Sequence, residues 1–299
     1  MLKQKANRFL VLLCALTPYI ASAEVIHQEK SLYRNIEVKE SGNRRCLVFA
    51  VKKGDRNQTC MDLRDPRKVV FPYARMTFAG LLANPNPESI LVVGLGGGTI
   101  PTVLSELYPD TTIDVVEIDP AVVAVAKKYF NYVDSPQSSI HVVDARVFIK
   151  RAGIRGALYD LVILDAFTGD YIPEHLMTVE FVAEAAGLLS ERGVLVANTF
   201  STSALYDHES VTYNTVFTEF INFKMPNTGN RVIIASRNEL PTPKMMHSRA
   251  QQLAVQLNNY GVDMRIFLPF LKRDKDWRED VRPLTDQFSP ANLLRGHTP

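Results

Sequence analysis

The chain has little of what several common chemistries need. It carries three cysteines, one tryptophan and six histidines in 299 residues. No group of His and Cys has metal-ligand spacing, so no metal is expected. His175 and His208 read as surface residues, and nothing near either suggests a Ser-His-Asp arrangement. Charge of one sign is also scarce. The 34 Lys and Arg against 32 Asp and Glu leave a net +2, too small to call for nucleic acid or an anionic membrane. No apolar run approaches the roughly twenty residues that span a bilayer, so no stable membrane insertion is expected. Repeats and low-complexity tracts are lacking. A composition of 46% hydrophobic and 22% charged residues is that of a globular protein, and the length suits about two domains.

The N-terminus reads as a secretory signal. Lys3, Lys5 and Arg8 precede the apolar run Phe9–Leu16, Pro18 breaks it, and Ala21-Ser22-Ala23 supplies a small-x-small cleavage site. Residues 1–23 are therefore expected to be removed and the protein exported to the periplasm. Cys14 does not make a lipoprotein site, because Leu13 stands where a small residue is needed. The remaining cysteines, Cys46 and Cys60, lie symmetrically about Lys53. The stretch Arg45–Val51 reads as a strand, 53–56 as a turn and Gln58–Leu63 as the returning strand. In an oxidising compartment a Cys46–Cys60 disulfide is expected, with two buried thiols as the alternative.

The most informative stretch is residues 90–99, Ile-Leu-Val-Val-Gly-Leu-Gly-Gly-Gly-Thr. A buried parallel strand runs into a glycine loop, and a helix follows over Ile100–Tyr108. Such a loop lets backbone N–H groups approach a ligand that a Cβ would hold off. The next strand, Ile113–Val116, ends in Glu117, placed to take both hydroxyls of a ribose. The dinucleotide fingerprint wants glycine at its sixth position, which is Thr99 here. The spacing of Gly94, Gly96 and Gly98 suits an S-adenosylmethionine-type loop better, with Gly97 inside it. Two further strands end in Asp144-Ala145 and Asp165. In an open parallel sheet these three carboxylates line one crevice. Glu117 would hold the ribose, Asp144 the adenine amino group, and Asp165 the reacting end. For Asp144 alone a helix N-cap is an equal alternative.

Alternation of strand and helix up to Gly193–Asn198 predicts an α/β chain with a Rossmann-like, S-adenosylmethionine-methyltransferase-type sheet. Residues 24–83 read as a small N-terminal β domain and 84–299 as the nucleoside-binding catalytic domain. A terminal antiparallel hairpin is expected from Phe217–Phe223 and Arg231–Ala235, and a helix over 244–259. For Asp286 in the tail an approach to the site and a solvated loop are both open.

From about Asn84 to Phe200 the chain resembles the spermidine synthase (polyamine aminopropyltransferase) family, as a divergent exported member. The resemblance rests on Asn84-Pro85-Asn86-Pro87, on Glu117-Ile118-Asp119 followed by Ala126–Phe130, and on Phe71-Pro72-Tyr73-Ala74-Arg75-Met76, which is similar to the family's Phe-x-Tyr-Gln-Glu-Met. Gln58 matches a glutamine upstream of that segment. The resemblance implies decarboxylated S-adenosylmethionine as donor, a small-molecule amine as acceptor, and Gln58 at the donor site. Tyr73 and Tyr171 are candidates for the acceptor pocket, since a tyrosine both covers a ligand and hydrogen-bonds it; core or rim packing is the alternative for each. The departures are specific. The loop aspartate that holds the donor's amino group in the family is Gly97 here. The second aspartate after the fourth strand is Thr168, and the family's Gln-Glu pair is Ala74-Arg75.

The expected activity is aminopropyl transfer, with Asp165 orienting the acceptor amine and taking its proton. An S-adenosylmethionine-dependent methyltransferase and a non-catalytic nucleoside-binding protein are the alternatives, and a homodimer is left open.

Overall fold

The computed structural model describes residues 23–288 apart from 52, 53, 170 and 227. Residues 1–22 of the expected signal peptide, Cys14 among them, Lys53 of the hairpin turn, and Ser289-Pro290 of the tail lie outside the described residues.

Four strands, β1 (Glu24–Lys30), β2 (Asn35–Ser41), β3 (Arg44–Val51) and β4 (Gly54–Asp62), form an antiparallel sheet in that order. Cys46 and Cys60 are direct cross-strand partners, with Cα atoms 4.1 Å apart, and are joined by a disulfide. The returning strand starts earlier than the sequence suggests. Gly54 already pairs with Val51, and Asp55 and Arg56 pair with Ala50 and Phe49, so 54–56 are strand rather than turn. The pairing then skips Gln58, since Leu47 faces Thr59 while Val48 faces Asn57. That one-residue bulge shifts the register so that Cys60 meets Cys46. Bulges re-aim a side chain, and here the residue concerned is Gln58.

The chain then departs from a β reading. Residues Pro72–Thr77 form a short helix, α1, with Pro72 at its first turn, and Phe78–Leu82 continue as a 3-10 helix. Proline at that position has its φ preset and no N–H to lose. Phe78, Leu81 and Leu82 are fully buried, packed with residues of the large sheet described next.

That sheet is built from β5 (Ser89–Val93), α2 (Thr99–Leu107), β6 (Thr112–Glu117), α3 (Pro120–Tyr129), β7 (Ser138–Val142), α4 (Ala145–Ile154), β8 (Tyr159–Leu164), α5 (Val179–Ala186) and β9 (Leu189–Phe200). It is completed by α6 (Tyr206–Val216), β10 (Ile221–Lys224), β11 (Asn230–Ser236), α7 (Pro243–Leu257) and β12 (Leu271–Lys272). The strand order is β12-β10-β11-β9-β8-β5-β6-β7, parallel from β9 to β7 and antiparallel beyond. Both faces are covered. Ile90, Val92, Leu161, Ile163 and Val196 pack on one side, and Leu91, Val93, Val162, Leu164 and Leu195 on the other. Burial on both faces explains why β5 and β8 read as unbroken apolar runs. The hairpin strand predicted from Phe217 begins only at Ile221. Phe217 closes α6, and Phe217 and Phe220 sit in the core beneath it.

The small sheet packs on α3. Ile36, Val38, Leu47 and Phe49 meet Ala121, Val122, Val125 and Phe130 in a separate apolar cluster. Each such side chain contributes on the order of 1.5–3 kcal/mol by burial. This packing sets the small sheet beside the carboxyl ends of the parallel strands.

Candidate active site

Register brings the key residues level. Val93 of β5 pairs with Val116 of β6 on one side and Leu164 of β8 on the other. The next residue in each strand is Gly94, Glu117 and Asp165. The chain order reverses at β5, whose neighbours lead away in opposite directions, and that is where α/β sheets open a crevice. A cleft of about 240 Å³ lies there, lined by Gly94, Gly96, Gly97, Glu117, Asp144, Ala145 and Asp165 among others, with Gln58 and Tyr73 at its edge.

The loop needs its glycines for different reasons. Gly94 has φ +99° and lies against the Asp165 carbonyl. Gly96 has φ +54° and faces open space, the cleft itself. A side chain at either position is strained, and one at Gly96 also takes the ligand's place. Gly97 backs onto the Thr59 methyl and the Phe130 ring. Gly98 does not line the cleft. It lies against the Tyr132 ring and caps the N-terminus of α2, away from the cleft lining where a ligand contact was expected of it.

Glu117 is buried, and its two oxygens accept from the Leu95 and Asp119 N–H groups at 3.1 and 3.0 Å. Burial raises its pKa, while those N–H groups and nearby Arg34 work in the opposite direction. Each oxygen keeps a lone pair beyond its N–H bond, which suits a pair of vicinal hydroxyls. Arg34, in the connection between β1 and β2, also lines the crevice. It lies 4.4 Å over the Phe49 ring and donates to the Phe167 carbonyl at 3.2 Å.

Asp144 is the helix N-cap of its second reading and also lines the cleft. Oδ1 accepts from the Val147 N–H as the N-cap of α4, and Oδ2 meets His175 Nε2 at 3.0 Å. His175 is exposed as expected, yet it lines the cleft through this pair.

Asp165 stands at the other end. Burial pushes its pKa up to about 7, against the opposing pull of a 2.8 Å bond from Asn198 Nδ2. Tyr73 donates its hydroxyl to the Gln58 carbonyl at 2.7 Å. Burial, then the Asp165 charge, raises the Tyr73 pKa well above 10, so the phenol stays neutral.

Tyr171 is exposed and does not line the cleft, which fits the rim packing given as its alternative. Its carbonyl accepts from the Thr168 N–H and hydroxyl, closing a turn through Gly169, which has φ +111°. Arg75 does not line the cleft, and its guanidinium donates to the Val69 and Val70 carbonyls. Asp286 does not line the cleft and is exposed, in keeping with its solvated-loop alternative. Arg146 holds it with two bonds of 2.6 and 2.7 Å, and the Thr178 hydroxyl adds a third. Arg34, Thr59, Phe167 and Asn198 escaped sequence reading. A buried asparagine at the end of an apolar strand was the only local signal, and it belonged to Asn198. No group of three or more His, Cys, Asp or Glu among the described residues is placed to hold a metal.

The chain and its fold are similar to known proteins. The spermine/spermidine synthase domain model matches residues 71–227. A polyamine aminopropyltransferase of Vibrio vulnificus is 52% identical over 291 residues, covering 96% of this chain and 97% of the relative. A probable spermidine synthase from Corynebacterium glutamicum has a TM-score of 0.64 at 20% identity, over 87% of this chain and 99% of that one. Human methyltransferase-like protein 13, solved with SAH, has a TM-score of 0.58 at 21% identity, over 75% and 100%. The two solved structures speak for the fold, which methyltransferases share. The domain match and the 52% identity reach further: this chain belongs to the spermine/spermidine synthase family.

Proposed function

We propose that the protein is an exported aminopropyltransferase that moves the aminopropyl group of decarboxylated S-adenosylmethionine to a small amine. The observation that carries this reading is the level placement of Gly94, Glu117 and Asp165 around one crevice, in a chain 52% identical to a polyamine aminopropyltransferase. Glu117 binds the ribose hydroxyls, Asp144 and Ala145 border the adenine, and the Gly94–Gly97 backbone lies along the donor. The acceptor nitrogen attacks the methylene carbon next to the sulfonium. The carbon–sulfur bond breaks and methylthioadenosine leaves. An amine with pKa ~10 is mostly protonated at neutral pH and cannot attack in that form. Asp165, with a pKa near 7, takes the proton. Positioning two reactants in one cleft supplies much of the remaining acceleration.

Export is supported by the basic, apolar and Ala-x-Ala succession, by β1 beginning at Glu24, directly after the expected cleavage point, and by the Cys46–Cys60 bridge. A thermal-shift panel tests the site. Methylthioadenosine and decarboxylated S-adenosylmethionine raise the melting temperature if the reading holds. A shift with S-adenosylhomocysteine alone favours methyl transfer, and no shift with any of them rejects the site.

A further inference from the structure

The Asp165 carboxylate ends a line of hydrogen bonds that the proposed reaction does not use. Asn198 Nδ2 donates to Asp165 Oδ1 at 2.8 Å. Asn230 Nδ2 donates to Asn198 Oδ1 at 3.1 Å, and Thr228 Oγ1 donates to Asn230 Oδ1 at 3.2 Å. Every link gives its hydrogen toward the carboxylate. The direction follows from the end point. An ionised carboxylate only accepts, so Asn198 must offer its N–H, which leaves its oxygen to accept from the next amide.

The register makes the line possible. Leu164 pairs with Ala197, so Asp165 and Asn198 are the following residues of two adjacent parallel strands. Asn198 in turn pairs with Val232 of antiparallel β11, and Asn230 is its diagonal neighbour two residues away. Asn198 is 3% exposed, and an unpaired amide there would be costly. We infer that Asn198, backed by Asn230, is a positioning residue for the transfer: it fixes the Asp165 carboxyl through one oxygen, leaves the other to the acceptor amine, and favours the ionised form that can take a proton.

Two effects oppose each other at Asp165. Burial disfavours the charge, while a donor line favours it, and each dipole polarises the next. Among titratable neighbours, Tyr73 from α1 feels the Asp165 charge but stays neutral. The titratable groups Glu117, Asp144 and His175 and the Arg34 guanidinium also line the cleft. The acceptor role of Asp165 rests on the aminopropyltransferase reading. Its ionisation does not, and the test separates the two.

The test is a carbon-13 carboxyl NMR titration of the mature chain, with the Asp165 signal assigned through Asp165→Asn. Asn198→Leu should raise the Asp165 pKa by about one unit, and Asn230→Ala should move it in the same direction by less. In a turnover assay the acid limb of kcat should shift by the same amount, with the donor KM within about twofold of wild type. An unmoved Asp165 titration in a folded Asn198→Leu or Asn230→Ala variant overturns the inference. So does a loss of nucleoside affinity and melting temperature without a pKa shift. If the titration shifts but wild type shows no turnover, the inference stands and the transferase reading fails.

Discussion

Thr59 and Gly97 fill one space between them. The methyl of Thr59, on the small sheet, stands where a Cβ at residue 97 would project, and the Phe130 ring closes the other side. The Thr59 hydroxyl also lies 3.3 Å from that of Thr99, where α2 begins. The family's loop aspartate is therefore not simply missing from this chain, because its place is occupied. Gly97→Asp should lower the melting temperature and weaken nucleoside binding. Adding Thr59→Ser, which removes the obstructing methyl, should recover part of both. Scanning calorimetry of the single and double variants measures the coupling, and additivity within about 0.5 kcal/mol would mean the two positions do not compete.

The disulfide next to Thr59 should stabilise the small sheet. Cys46 and Cys60 are 14 residues apart, and a loop of that size is worth about 3 kcal/mol in the chain-entropy model. Non-reducing peptide mapping should find one linked pair. Cys46→Ser with Cys60→Ser should lower the denaturant midpoint with little change in m. Two free thiols in oxidised material would contradict the bridge.

Ribose recognition should depend on Glu117. Removing a charged acceptor costs about 1.5–3 kcal/mol, so Glu117→Ala should weaken methylthioadenosine about 10- to 150-fold by calorimetry. Stability should also fall, because the Leu95 and Asp119 N–H groups lose their acceptor. Unchanged affinity would mean the nucleoside lies elsewhere.

Asp165 should leave a pH signature on stability. Its pKa is raised from 3.8 to about 7, chiefly by burial. A carboxyl whose folded pKa lies above its unfolded value binds its proton more tightly when folded. Its ionisation therefore costs stability progressively as pH rises from about 4 to 7, on the order of a few kcal/mol by the upper plateau. Asp165→Asn should be more stable than wild type at pH 8 and indistinguishable from it below pH 4. Buried Glu209, also raised to about 7 by burial, adds the same trend to both proteins and cancels in the comparison.

The parallel core was legible because burial on both faces leaves continuous apolar runs, and because a strand end followed by glycine or a carboxylate marks the crevice rim. The strand read as running into Asp165 does so, with its last residue at Leu164, for that reason. What escaped depends on contacts distant in sequence. Arg34 reaches Phe167 across 133 residues. Arg75 stands where the family has glutamate, but sequence gives its place and not its direction, and its guanidinium donates to two backbone carbonyls. Tyr171 lies outside the cleft, beside a local turn at Gly169, and Gly98 also lies outside it; spacing alone does not separate a glycine that faces a ligand from one that faces a tyrosine ring. The bulge at Gln58 made the cysteine spacing look like a simple symmetric hairpin.

The central claim is transfer of an aminopropyl group with Asp165 as the proton acceptor. The most direct measurement incubates the mature chain, wild type and Asp165→Asn, with decarboxylated S-adenosylmethionine and a panel of small amines, following products by mass spectrometry. Wild type should release methylthioadenosine and an aminopropylated amine in equal amounts. Asp165→Asn should be slower by about 10²–10⁴-fold, with methylthioadenosine affinity nearly unchanged. Equal rates for the two proteins, or S-adenosylhomocysteine formed from S-adenosylmethionine with no methylthioadenosine from the decarboxylated donor, would contradict the account.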